Sequence, residues 1–171
     1  DDKEEYSATG TTDNTTTTDT TAPTVSLVSA TADNQSSVSI TDNITVTFSE
    51  AMNTSYVTTS TSDTNCAGTI RVSSDNFSSC VKMSSEPASS NSNKTFTLDP
   101  YDNLTVSTTY KTRVTTGVKD TAGNAMSSQY ETSSGFTTSS SSSASSASSV
   151  TAIAAGKSHN CALIDNASVK C

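Results

Sequence analysis

The chain has no Trp, one His, three Pro and six Gly among 171 residues. Nine Lys and Arg stand against seventeen Asp and Glu, for a formal net charge of −8. The cations are scattered along the sequence, so no basic run offers a footprint for a phosphate backbone, which argues against nucleic-acid binding. No apolar run approaches the roughly 18 residues that cross a bilayer, so no membrane insertion is expected. The opening Asp-Asp-Lys-Glu-Glu has neither the basic nor the apolar region of a signal peptide, and the chain reads as a mature or excised piece. Gly-x-Ser-x-Gly, a phosphate loop and a glycine-rich dinucleotide fingerprint are all missing, so no enzyme class has a foothold. The one His, His159, would need a nucleophile and an orienting acid to act as a catalytic base, and nothing near it beyond Ser158 and Asp165 suggests either.

What fills the chain is Ser and Thr, 35 and 33 of them, or 68 of 171 residues. Small polar β-modules and wall-spanning linkers tolerate that bias; an enzyme core rarely does. Residues 1–22 contain no Val, Ile, Leu, Phe or Met and include the run Thr15 to Thr18, so they are expected to form a disordered acidic tether. Residues 139–149 are nine Ser and two Ala, a flexible linker by composition. Between them, 23–138 has the size of one sandwich domain, and 150–171 is too short to fold alone.

Within 23–138 apolar residues recur with period two: Val25 and Leu27; Ile44, Val46 and Phe48; Phe96 and Leu98; Tyr110 and Val114. That spacing predicts strands, and no sustained helical stripe competes with it. Turn chemistry separates the runs at Ala32-Asp33-Asn34, Asp42-Asn43, Asp99 to Asn103 and Gly123-Asn124. The reading is an all-β, antiparallel sandwich. Leu104, six residues before Tyr110, suggests a tyrosine corner, in which the phenol bonds back to upstream backbone; a plain core Tyr is the alternative.

Four cysteines in such a chain favour an oxidising compartment and allow three pairings. Two local bridges are simplest. Cys66–Cys80 would staple an excursion containing Gly68 to Val72 and contribute about 3 kcal/mol. Cys161–Cys171 would close a hairpin over Ile164 to Ala167. Free thiols and mispairing are the alternatives; zinc is disfavoured because no Cys-x-x-Cys exists. Hard oxygen ligands for calcium could come from Glu50, Asp120 and Asn124, although Asp120 to Asn124 is also what a tight turn requires.

Two resemblances refine this. Ala22-Pro23-Thr24-Val25, Ile44 to Asn53 (ITVTFSEAMN), Thr109-Tyr110, Thr116 to Asn124 (TGVKDTAGN) and Gly135 to Thr138 resemble, in order, the bacterial Ig-like domain of surface-layer proteins and adhesins. The resemblance implies an Ig-like sandwich serving as a repeated, stalk-like module on a bacterial surface. Val150 to Cys171 resembles part of a regulator-of-chromosome-condensation type propeller repeat, departing from it at Asn166-Ala167, where that repeat often has Asp-Gly. The function expected is a non-catalytic, extracellular spacer that presents distal repeats. The alternative is an adhesin-type binder of carbohydrate or protein through loops around Tyr56 and 62–93. A stalk for a catalytic domain lying downstream is a third reading.

Overall fold

The computed structural model describes residues 18–26, 29, 31–141, 150–155, 160–164 and 168–170. In chain order the strands are β1 (Val25–Ser26), β2 (Ile44–Phe48), β3 (Ile70–Ser73), β4 (Ala88–Ser90), β5 (Thr95–Leu98), β6 (Thr109–Val114), β7 (Tyr130–Glu131), β8 (Phe136–Thr137), β9 (Val150–Ala155), β10 (Asn160–Ile164) and β11 (Ser168–Lys170). Among the described residues there is no α-helix, only a 3-10 turn at Thr54–Tyr56. One sheet runs β1-β2-β5-β4, with every neighbouring pair antiparallel. The second runs β3-β6-β7, with β8 also on β6. With β7 and β8 counted as two halves of one interrupted strand along β6, four strands face three in the order of a constant-type immunoglobulin sandwich. Strands β9, β10 and β11 form a separate antiparallel meander.

Alternation sends one side of each strand inward. Ile44, Val46 and Phe48 of β2 and Phe96 and Leu98 of β5 are buried from one sheet; Ile70, Val72, Tyr110, Val114 and Phe136 meet them from the other. Phe48 and Phe96 pack edge to face with ring centroids 5.7 Å apart, and Tyr110 stacks on Phe136 at 5.7 Å. Such pairs add about 0.5–1.5 kcal/mol to the area they bury. The tyrosine corner is present: Thr105 N–H donates to the Tyr110 hydroxyl at 3.0 Å, and Leu104 is buried beside it.

The Cys66–Cys80 disulfide forms, with Cα atoms 5.0 Å apart. Its loop is more than the expected excursion, because it contains β3, an edge strand of the second sheet whose Ile70 and Val72 are core residues. The last strand is interrupted. Between β7 and β8 the chain bulges at Ser133 to Gly135, and the bulge is held from 100 residues away by Asp33. Its carboxylate accepts from Ser133 N–H (3.0 Å), Ser133 Oγ (2.6 Å), Ser134 N–H (2.8 Å) and Gly135 N–H (2.6 Å). Burial works to raise the Asp33 pKa, but these donors prevail and lower it from 3.8 to about 2. Gly135 sits at φ +77, and a Cβ there would collide with the Tyr110 carbonyl, so only glycine fits.

Before β2 the chain crosses from one sheet to the other. Residues 34–39 lie parallel to the last strand, bonded through Asn34 N–H to Gly135 O, Thr137 N–H to Gln35 O, Val38 N–H to Thr137 O and Ser139 N–H to Val38 O.

Candidate functional site

The most chemically distinctive place is where the chain enters the sandwich. Beyond β2, Ser49 clasps the incoming segment: Ser49 N–H donates to Thr24 O at 3.0 Å and Thr24 N–H donates to Ser49 Oγ at 3.0 Å. This clasp sets Glu50 beside the turn at Asp120 to Asn124. That turn closes on itself, with Asn124 N–H and Nδ2 each donating to the Asp120 carboxylate at 2.8 Å and Asp120 N–H donating to Asn124 O at 3.0 Å. Asp120 is 1% exposed. Burial acts to raise its pKa, and the Asn124 side chain and the backbone amides of Asn124, Gly123 and Ala122 outweigh it, so the carboxyl lies below its ordinary value.

Asp19 completes the cluster. Asn124 Nδ2 donates to its carbonyl at 3.0 Å, and Thr21 N–H donates to its Oδ1 at 2.9 Å. One carboxylate oxygen from each of Asp19, Glu50 and Asp120 lies within 4.8 Å of the others. Burial, and then the charges of Asp19 and Asp120, push the Glu50 pKa up. Like charges this close favour either a proton on Glu50 or a cation among the three. The donor set is all oxygen, which suits a hard ion such as calcium and not zinc.

Of the three calcium ligands expected from sequence, Glu50 and Asp120 come together. Asn124 lies against the same cluster, its amide nitrogen donating to the Asp120 carboxylate and to the Asp19 carbonyl. Asp19, read as part of the tether, adds a third carboxylate. The only hint in the sequence was its position four residues before Pro23, which is buried.

The loops expected to carry binding are held by cations over aromatic rings. Lys119 Nζ lies 4.8 Å from the ring centre of Tyr56, which is 42% exposed. Arg113 lies 3.7 Å over Phe77. The most exposed aromatic of the described residues is Tyr101, at 61%, with Lys82 Nζ at 4.2 Å from its ring centre; the sequence reading treated it as part of a turn. A shallow groove of about 280 Å³ runs past Ser73, Ser74, Asn76, Thr109 and Lys111. His159, the pair Cys161–Cys171, residues 1–17 of the tether, 142–149 of the linker and Leu27 involve positions outside the described residues.

The family model described as "Bacterial Ig-like domain" matches residues 19–138. The chain belongs to that family. The matched span of this bacterial Ig-like domain begins at Asp19, the residue that closes the carboxylate cluster. Among solved structures, the N-terminal part of the bacterial S-layer protein SbsC is similar at TM-score 0.46 and 18% identity, over 88% of this chain and 32% of that one. SbsC domains 1–6 and SbsC residues 31–844 are each similar at TM-score 0.47 and 19% identity, over 88% of this chain and 19% of theirs. The chain thus spans between a fifth and a third of those structures. No curated protein matches it in sequence.

Proposed function

We propose that this bacterial Ig-like domain is a non-catalytic spacer of a cell-surface or secreted bacterial protein. One observation carries the reading. The chain enters beside the turn that follows the end of β6, where Asp19 meets Asn124, and leaves beside the start of β6, where Ser107 N–H donates to Ser139 O and Thr138 N–H to Thr108 O. Entry and exit at opposite ends of one strand let such modules be strung head to tail, each adding its full length. The family's typical lack of enzymatic activity agrees with this, and no helix among the described residues is long and apolar enough to cross a membrane.

Calcium belongs to the same reading. A divalent ion held by Asp19, Glu50 and Asp120 would relieve their repulsion and fasten the incoming segment to the sandwich, stiffening the joint with whatever precedes it. The backbone meander β9 to β11 supports reading 150–171 as the opening of a propeller-type repeat, which the spacer would present. Adhesion through the loops, to carbohydrate or protein, is the competing reading, and the exposed ring of Tyr101 favours it.

The deciding experiment replaces residues 19–138 in the parent surface protein with an unrelated sandwich of equal end-to-end length. A spacer predicts that display and binding by the distal repeats are retained. Loss of adhesion with display intact would transfer the function to the sandwich itself.

A further inference from the structure

The cations look scattered in the sequence, but the fold gathers three of them. Of the six Lys and Arg between residues 18 and 141, Arg71, Lys111 and Arg113 all project from the outer face of the β3–β6 pair. The register sets Arg71 directly opposite Arg113, and like charges in that position destabilise a sheet. Compensation is incomplete. Glu131 alone serves two of the three, with Oε2 at 2.8 Å from Arg113 and Oε1 at 3.9 Å from Lys111. Arg71 donates to the Gly68 carbonyl at 3.1 Å and has no carboxylate partner among the described residues. Asp75, just beyond β3, accepts from Ser73 and Ser79 and adds a second negative charge, leaving three cations against two carboxylates. In a chain of net charge −8, this face therefore carries a surplus of positive charge beside the groove at Ser73, Asn76 and Lys111.

We infer that this face receives the chain's own acidic segment, residues 1–17, in a salt-sensitive intramolecular contact. That segment carries Asp1, Asp2, Glu4, Glu5 and Asp13 against the single Lys3, the densest run of one charge in the sequence. Its reach is sufficient. It joins the described chain beside the turn at Asp120 to Asn124, a few residues beyond the end of β6, and seventeen residues span up to about 56 Å when extended. Tethering also raises the local concentration of the segment to the millimolar range, which lets weak, screened ion pairs be populated. The contact would lay the start of the chain along the side of the sandwich at low ionic strength and release it as salt rises.

Carbodiimide cross-linking of the full chain, read by peptide mass spectrometry, tests this. Lys111 should be joined to carboxylates of residues 1–13 several-fold more often than Lys82 or Lys94 is, within one molecule when light and heavy isotopic copies are mixed, and the excess should vanish in 0.5 M salt. Equal yields at all three lysines, or links between copies, would overturn the inference. Amide shifts of Arg71, Lys111 and Arg113 provide a second readout. They should differ between the native chain and one with Asp1, Asp2, Glu4, Glu5 and Asp13 changed to Asn or Gln, substitutions that leave the sandwich untouched. Identical shifts in the two chains, or equal displacement of both by polygalacturonate, would show that the segment does not occupy the face.

Discussion

Replacing Asp33 by Asn keeps the size of the side chain and removes its charge, so it isolates what the carboxylate does for the bulge between β7 and β8. Four donors converge on two oxygens in the native chain. Asn offers one oxygen and turns an NH2 toward two of those donors. The lowering of the pKa from 3.8 to about 2 corresponds to about 2.4 kcal/mol at 1.36 kcal/mol per unit, which solvent at this partly exposed site reduces to about 1–2 kcal/mol. Leaving backbone donors facing an NH2 adds to that, for a total near 2 kcal/mol. A domain of 120 residues loses stability by about 0.25 kcal/mol per degree at its midpoint, so Tm should fall by about 8 °C at pH 7. The pH dependence has a definite sign. Because the folded pKa lies below the unfolded one, the charge-dependent advantage of the native chain is complete above pH 3.8 and is lost as pH falls through 2. Calorimetry of both proteins between pH 2 and 7 should show the Tm gap narrowing toward acid. A gap under about 2 °C at pH 7, or one as wide at pH 2 as at pH 7, would refute the reasoning.

Tyr110→Phe removes the hydroxyl that accepts from Thr105 N–H and should cost about 1 kcal/mol, read as a Tm lower by about 4 °C with unchanged circular dichroism. Thr112 Oγ1 is buried and has no hydrogen-bond partner among the described residues, so Thr112→Val should be neutral or raise the urea midpoint, whereas Thr112→Asn should lower it. Changing Cys66 and Cys80 together to Ser should cost 2–4 kcal/mol and expose β3, which hydrogen exchange at Ile70 and Val72 would report. If calcium binds at Asp19, Glu50 and Asp120, millimolar calcium should raise Tm over chelator in the native chain and not in Glu50→Gln; equal midpoints in the native chain would remove calcium from the proposal. In chelator, the raised Glu50 pKa means that its ionisation costs stability as pH rises above 4.5, so Glu50→Gln should be the more stable chain at pH 7.

The strands that could be read from sequence are those with one apolar face. Ile44, Val46 and Phe48, or Phe96 and Leu98, declare their burial by alternation. By contrast β4, Ala88-Ser89-Ser90, is exposed at every position and pairs with β5 mainly through backbone, so no apolar side chain marks it. Buried Thr31, Thr59 and Thr112 sit in the interior as small polar residues indistinguishable in type from the many on the surface. The cysteine pair was legible because its spacing is local. Asp33 looked like a turn former, and it is one, but its chief partners lie a hundred residues on, where no local pattern could name them. The carboxylate site was half legible for the same reason: Asp120 to Asn124 is a contiguous motif, and Asp19 reaches it only through the folded chain.

The parallel run of 34–39 against 135–139 decides how the domain answers a pull on its ends. Both segments head toward the exit end of the sandwich, so tension applied at Asp19 and Ser139 drags them in opposite directions along their length. The four backbone bonds from Asn34, Thr137, Val38 and Ser139 lie across that axis and are loaded in shear, all at once, instead of opening one after another like a zipper. A module gripped in this way transmits force without lengthening until the whole set gives way together.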